Sequence, residues 1–279
     1  MAGPLSPVPD VERRRTELAA NLVVLDDRVR KACAAAGRDP REVTVIAVTK
    51  TFPASDVRLL AELGITNIGE NRDQEAAPKA AACADLPLTW HFVGQLQTNK
   101  CRSVARYAHV IHSVDRLRLV TALSHAATRA GRELACLLQV DLSASGGSPP
   151  GGLQPAAGQH APDGGSGLVA GYRDPRGRDD LADIGRGGVR PAELFELADA
   201  VAAADGLRLA GVMAIAPLDE PAAPAFRRLA ELAARLRTRN PSATVISAGM
   251  SGDLEEAIAY GATHVRVGTS LLGSRPPVR

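Results

Sequence analysis

The chain has 279 residues, 45% of them hydrophobic but only 3% aromatic, and a formal net charge of +2. Its core must therefore be built mainly from Ala, Val, Leu and Ile. With near-neutral charge and no basic, aromatic-interleaved patch, nothing argues for nucleic acid.

The opening MAGPLSPVPD lacks a basic start and an apolar stretch, so it does not read as a signal peptide, and residues 1–9 are expected to form a disordered tail. Asp10 is placed to cap a long helix through VERRRTELAANLVVLDDRVRKACAAAG, with Gly37 as its stop. Val43–Thr49 is a β-branched run without helical period, which predicts a buried parallel strand. The pattern then alternates: helices over 54–64, 72–84, 98–108, 115–131, 190–205, 224–240 and 253–261; strands over 65–70, 88–94, 109–114, 133–142, 207–216, 243–249 and 263–268. Pro78 should limit or kink its helix.

About eight strand-helix units behind an extra N-terminal helix predict a single (β/α)8 TIM-type barrel over residues 10–279, an α/β fold of about 250 residues. A doubly wound open sheet is the alternative, since periodicity does not reveal closure. Residues 145–188 hold thirteen of the 26 glycines and five of the 19 prolines. They read as a low-complexity, disordered insertion after the fifth strand, with a lid over the site as the second reading. No apolar run is long enough to cross a bilayer. Cys33, Cys83, Cys101 and Cys136 are scattered, without CxxC or histidine at metal-ligand spacing, so no metal or disulfide and a cytoplasmic setting are expected.

The chain uses lysine only at 31, 50, 79 and 100, against twenty-nine arginines. Lys50 ends the first strand and shares a face with Thr44, Ile46 and Val48. On a barrel, chemistry sits at the C-terminal strand ends. A partly desolvated lysine there has a depressed pKa and can form a Schiff base with an aldehyde. The turns holding Gly249, Ser251 and Gly252, and Gly268, Thr269 and Ser270, follow strands seven and eight, a recurrent phosphate site of this fold. Lysine plus phosphate pocket suggests pyridoxal 5′-phosphate (PLP). Arg266 shares a face with His264, and its guanidinium can donate to a pyridine nitrogen without protonating it. That would leave the cofactor a poor electron sink.

Seven segments in order (VIAVTKTFP, NIGENRDQE, WHFVGQLQTNK, HSVDR, GVMAIAP, SAGMSGDLEEAI and VRVGTSLLG) resemble the pyridoxal phosphate homeostasis protein family. The likeness covers the chain apart from its tail and insertion. It implies a barrel like the N-terminal domain of alanine racemase (PLP fold type III), with Lys50 as the Schiff-base lysine and Arg266 at the pyridine nitrogen. It also implies Asn71 near the ring, Met213 as a wall residue, and Ser247, Gly249, Met250, Ser251, Gly268 and Thr269 on the phosphate side. His91, Gln97, Asn99 and Lys100 would lie at the pocket mouth. The long insertion replaces a short connection common in the family, and Gln95 stands where many relatives differ.

The activity implied is a non-catalytic PLP carrier that buffers the cofactor and delivers it to apo-enzymes, as a monomer or weak dimer. An alanine racemase-type enzyme is the alternative, but Tyr107, Tyr172 and Tyr260 fall in predicted helices and the insertion, where none supplies the second base. A Schiff-base aldolase would keep Lys50 and the phosphate turns yet leave the seven segments unexplained.

Overall fold

A computed structural model describes residues 10–143, 187–217 and 220–273. The expected tail 1–9, and all but the last two residues of the expected insertion, lie outside them. The strands are β1 (Thr44–Val48), β2 (Asn67–Glu70), β3 (Thr89–Phe92), β4 (Val110–Val114), β5 (Leu134–Gln139), β6 (Leu207–Met213), β7 (Val245–Ser247) and β8 (His264–Val267). They pair in chain order into a closed ring. All pairs are parallel, and β8 returns to β1 with Ile46 opposite Arg266. Closure sets aside the open-sheet alternative.

The helices are α1 (Asp10–Ala35), α2 (Ala54–Glu62), α3 (Asp73–Ala82), α4 (Cys101–Tyr107), α5 (Leu117–Ala130), α6 (Leu194–Ala202), α7 (Ala222–Arg239), α8 (Leu254–Ala259) and α9 (Thr269–Leu272). At four residues, α9 is too short to cover β8 and β1, and α1 takes that place. Its buried Leu18, Leu25, Val29, Ala32 and Cys33 join one core cluster with Ala47, Val265 and Val267. Polar ties fix the dock: Arg14 donates to Asp56 Oδ2 at 2.7 Å and to the Leu272 carbonyl at 2.9 Å, and Asn21 donates to the Leu271 carbonyl at 3.0 Å. The extra N-terminal helix thus completes the outer ring.

Four details differ from expectation. Asp10 begins α1 within its first turn rather than preceding it. The helix expected over 98–108 divides into a single 3-10 turn, Thr98–Lys100, and α4. The helix expected from residue 190 starts at Leu194. Pro78 lies inside α3 without ending it. The carbonyl freed by its missing N–H belongs to Gln74, which is exposed and open to water.

The described residues on either side of 144–186 meet at the C-terminal end of β5. Val140 pairs in parallel with Val189, the Val189 N–H donates to the Gln139 carbonyl at 2.8 Å, and the Asp141 N–H donates to the Val189 carbonyl at 3.0 Å.

Candidate cofactor site at the top of the barrel

Alternation along the strands divides the wall into two faces. Ala47, Ile68, Trp90, Val265 and Val267 pack outward against the helices. Their neighbours point inward: a Cβ on Gly69 would lie 2.9 Å from Ile46 Cγ2 and 3.3 Å from Val48 Cγ2. Glycine at 69 therefore makes room for two β-branched side chains inside the ring. Lys50, two residues beyond Val48 in the same alternation, is half-buried at the C-terminal end of the barrel.

Arg266 stands on the inward face of β8, 5% exposed. It donates to Ser247 Oγ at 2.7 Å and to the Ala214 carbonyl at 2.9 Å. These partners are neutral, and no carboxylate lies within ion-pair distance of Arg266 among the described residues. Burial pushes its pKa down to about 10, against a weaker opposing pull from Asp253, so the guanidinium remains charged at neutral pH.

Behind it runs a chain of inward side chains from four further strands. Ser247 Oγ meets His112 Nδ1 at 3.0 Å, His112 Nε2 meets His91 Nδ1 at 2.9 Å, and His91 Nε2 meets Asn67 Oδ1 at 3.0 Å. Arginine can only donate, so Ser247 must accept from Arg266 and pass its own proton toward His112. Each later donor then follows: His112 Nε2–H to His91, and His91 Nε2–H to the Asn67 carbonyl oxygen. Burial pushes His91 down to about 3 and His264 to about 4, and His112 well below its ordinary value. The chain is thus uncharged at neutral pH and runs in one direction, away from Arg266.

At the ends of β7 and β8 the two small-residue turns meet. Ser270 Oγ donates to Ser251 Oγ at 3.2 Å, and the Arg266 N–H donates to the Gly249 carbonyl at 2.9 Å. Gly249 has φ +87°, and a Cβ there would lie 2.6 Å from the Ala257 Cβ. Glycine is required on both counts. Asp253 accepts the Met250 N–H at 2.6 Å, which pins the first turn; Gly268 and Thr269 form the second, with Val48 on the wall beside Gly268. Met213 closes the inner wall, 1% exposed and opposite Ser247 in register.

The remaining expected residues divide. Asn71, Gln97 and Lys100 line a cavity of about 270 Å³, together with Gln95. A Cβ on Gly94 would fall 2.2 Å from the Asn71 carbonyl oxygen, so the β3 loop packs directly on the loop carrying Asn71. Asn99 is exposed. His91, expected at the mouth, is instead 3% exposed in the barrel interior. It belongs to the inward face of β3, where it bonds His112 rather than facing solvent.

Two groups escaped sequence reasoning. His112 lies in the HSVDR segment, and inward alternation on β4 was the available signal. Behind β1, Lys79 of α3 forms a buried ion pair with Glu70 Oε1 at 2.5 Å. The scarcity of lysine was the only sequence cue to it.

The donor set fits a phosphorylated aromatic aldehyde: an amine at one wall, a buried charged donor with neutral partners for a ring nitrogen, and small-residue turns at the β7 and β8 ends.

Comparison with known proteins follows the same line. Residues 181–276 match the family described as "Alanine racemase, N-terminal domain". The pyridoxal phosphate homeostasis protein of Mycobacterium tuberculosis is 38% identical over 294 residues, covering 99% of this chain and 98% of the relative. That of Pseudomonas aeruginosa is 39% identical, covering 92% and 96%. PipY of Synechococcus elongatus, solved with PLP bound, superposes with a TM-score of 0.69 at 31% identity, covering 92% of this chain and all of that one. With its length matched almost end to end at such identities, the chain belongs to the pyridoxal phosphate homeostasis protein family.

Proposed function

We propose that this protein binds PLP through Lys50 and serves intracellular PLP homeostasis, holding the reactive aldehyde and releasing it to PLP-dependent apo-enzymes. Lys50 Nζ attacks the aldehyde carbon and water leaves; water reverses the linkage on release. The observation that carries this reading is Arg266, a buried guanidinium bonded to a hydroxyl and a carbonyl, on β8 in register with β1, whose last residue precedes Lys50 by two positions. Gly249, Met250, Ser251, Gly268 and Thr269 hold the phosphate, Ser247, expected on the phosphate side, instead holds Arg266 in place, Met213 and Asn71 flank the ring, and Gln97, Asn99 and Lys100 border the mouth.

PLP supplies an electron sink when its ring nitrogen is protonated; Arg266 offers that nitrogen a hydrogen bond and keeps its own proton. The pocket therefore favours storage over carbanion chemistry, and we read the protein as a carrier without turnover. A racemase would need a second base facing Lys50. Tyr107 packs edge-on against outward-facing Trp90, with ring centroids 6.5 Å apart, and Tyr260 follows the end of α8, so neither sits on an inward strand face. All proposed contacts come from one chain, so a monomer or weak dimer suffices.

Purified protein loaded with PLP should absorb as a lysine-bound pyridoxyl group and, after borohydride reduction and peptide mapping, carry the adduct on Lys50. An adduct on another lysine would overturn the site. Sustained conversion of L- or D-amino acids, followed by chiral chromatography, would overturn the carrier reading.

A further inference from the structure

The peptide units on either side of Lys50 are both held by side chains of α3. On one side, Lys79 Nζ donates to the Thr49 carbonyl at 2.8 Å and to Glu70 Oε1 at 2.5 Å. Thr49 Oγ1 donates to the same Glu70 oxygen at 2.5 Å. Thr49 and Glu70 are fully buried and Lys79 is 8% exposed. On the other side, the Thr51 N–H donates to Glu75 Oε2 at 3.0 Å. Thr51 has φ +69°, the only non-glycine residue with positive φ among those described.

Neither feature is favourable by itself. Burying an ion pair strips both ions of their hydration, and apolar replacements are often neutral or better. A β-branched residue in the left-handed region is a true outlier, because its Cβ crowds the neighbouring carbonyl oxygen. Such strain persists only where the surroundings over-determine it, and it gathers at functional sites. Here both unfavourable features meet on three consecutive residues, with Lys50 in the middle. A compact ammonium suits the outer position, because its tetrahedral N–H groups serve one carbonyl and one carboxylate oxygen together.

We propose that Lys79 and Glu75 are positioning residues that clamp the Lys50 turn from behind the barrel wall and set the direction from which Lys50 Nζ meets the aldehyde. The proposal rests on Lys50 as the attachment residue. Glu70 acts through Lys79: its carboxylate holds the ammonium under the Thr49 carbonyl. The phosphate turns lie on β7 and β8, outside this network, so the clamp governs covalent capture and not phosphate anchoring.

Glu75→Ala, Glu75→Gln and Lys79→Met test it. Glu75 is half-buried, so its variants should fold even if Lys79→Met does not. On adding PLP to apo-protein, Glu75→Ala should slow the appearance of the lysine-bound band by roughly tenfold or more, the scale expected when a reacting group is displaced. Glu75→Gln, which keeps an acceptor oxygen, should restore most of the rate. Without cofactor, amide exchange at Thr51 should accelerate in Glu75→Ala, and reductive methylation of Lys50 should change relative to Lys31. Wild-type capture rate and wild-type Lys50 methylation in Glu75→Ala would overturn the clamp. If instead the wild-type protein carries its adduct elsewhere, the attachment reading fails, while Thr51 exchange and Lys50 methylation still report the clamp.

Discussion

The barrel wall carries buried polar networks on both faces, and they are built in opposite ways. Inside, the path from Arg266 through Ser247, His112 and His91 to Asn67 is uncharged beyond its first member and each link donates in one direction. Outside, Lys79, Glu70 and Thr49 form a compact charged knot that grips backbone as well as side chain. A neutral directed chain leaves Arg266 as the lone inner cation of that path, able to serve a ligand. The charged knot pairs Lys79 and Thr49 with one Glu70 oxygen and leaves the buried Glu70 Oε2 without a hydrogen-bond partner, so what it supplies to the wall is rigidity. The inner network fits recognition and the outer one fits positioning.

The sharpest way to break that division is to remove the inner amine. Lys50→Ala should abolish the lysine-bound absorbance and the borohydride adduct completely. Stability should stay within about 1 kcal/mol of wild type in urea melts, because Lys50 is half-buried at a strand end. Unfolding of that variant would instead give Lys50 the structural role assigned to the outer knot.

Next in size is acid sensitivity, which belongs to the inner face. His91 and His264, held near 3 and 4 by burial, stay neutral in the folded protein while their unfolded counterparts protonate below about 6.5. The unfolded state thus binds more protons in that window, so stability is full above about pH 6.5 and falls as pH drops toward the folded values. Each histidine contributes a slope of up to about 1.4 kcal/mol per pH unit. Urea midpoints between pH 7 and 5 should fall steeply in wild type and less steeply in His264→Asn. A flat profile would mean that the interior histidines are solvated.

Much of this architecture was legible from the chain. Alternation of β-branched runs and amphipathic segments gave the eight units. Period-two alternation puts His264 and Arg266 on one face of the eighth strand, and Lys50 on one face with Thr44, Ile46 and Val48. What stayed hidden depends on distances between elements remote in sequence. Nothing at Lys79 reveals that its ammonium reaches the Thr49 carbonyl thirty positions earlier. His91 was placed by its motif at the mouth, whereas its depth depends on how β3 sits beside β2 and β4. The one-turn α9 is too short for a periodic signal, and α1 standing in for an outer helix is a tertiary event.

A smaller effect tests the division of labour within the inner network. Arg266→Met removes a charge-assisted donor whose net worth in binding is about 1.5–3 kcal/mol, so PLP affinity should fall roughly 10- to 150-fold. The borohydride adduct should remain on Lys50 at saturating cofactor, because capture depends on the amine. Loss of the adduct would mean that Arg266 also sets the approach to Lys50.

The smallest effect is expected at the mouth. Lys100 closes the 3-10 turn Thr98–Lys100 and lines the cavity shared with Asn71 and Gln97. It is half-buried, so water and salt screen its charge from the deeper pocket. Lys100→Ala should change equilibrium PLP affinity by about threefold at most, the scale of an exposed ion pair, with the residual effect vanishing at high salt. The relevant measurement is a PLP titration at two ionic strengths, with wild type and Arg266→Met in parallel. If Lys100→Ala weakens binding as much as Arg266→Met, the anion is held at the mouth, and the turns after β7 and β8 are no longer needed to account for phosphate. If the threefold ceiling holds, recognition lies on the inner wall, and Lys100 affects only how PLP arrives and leaves.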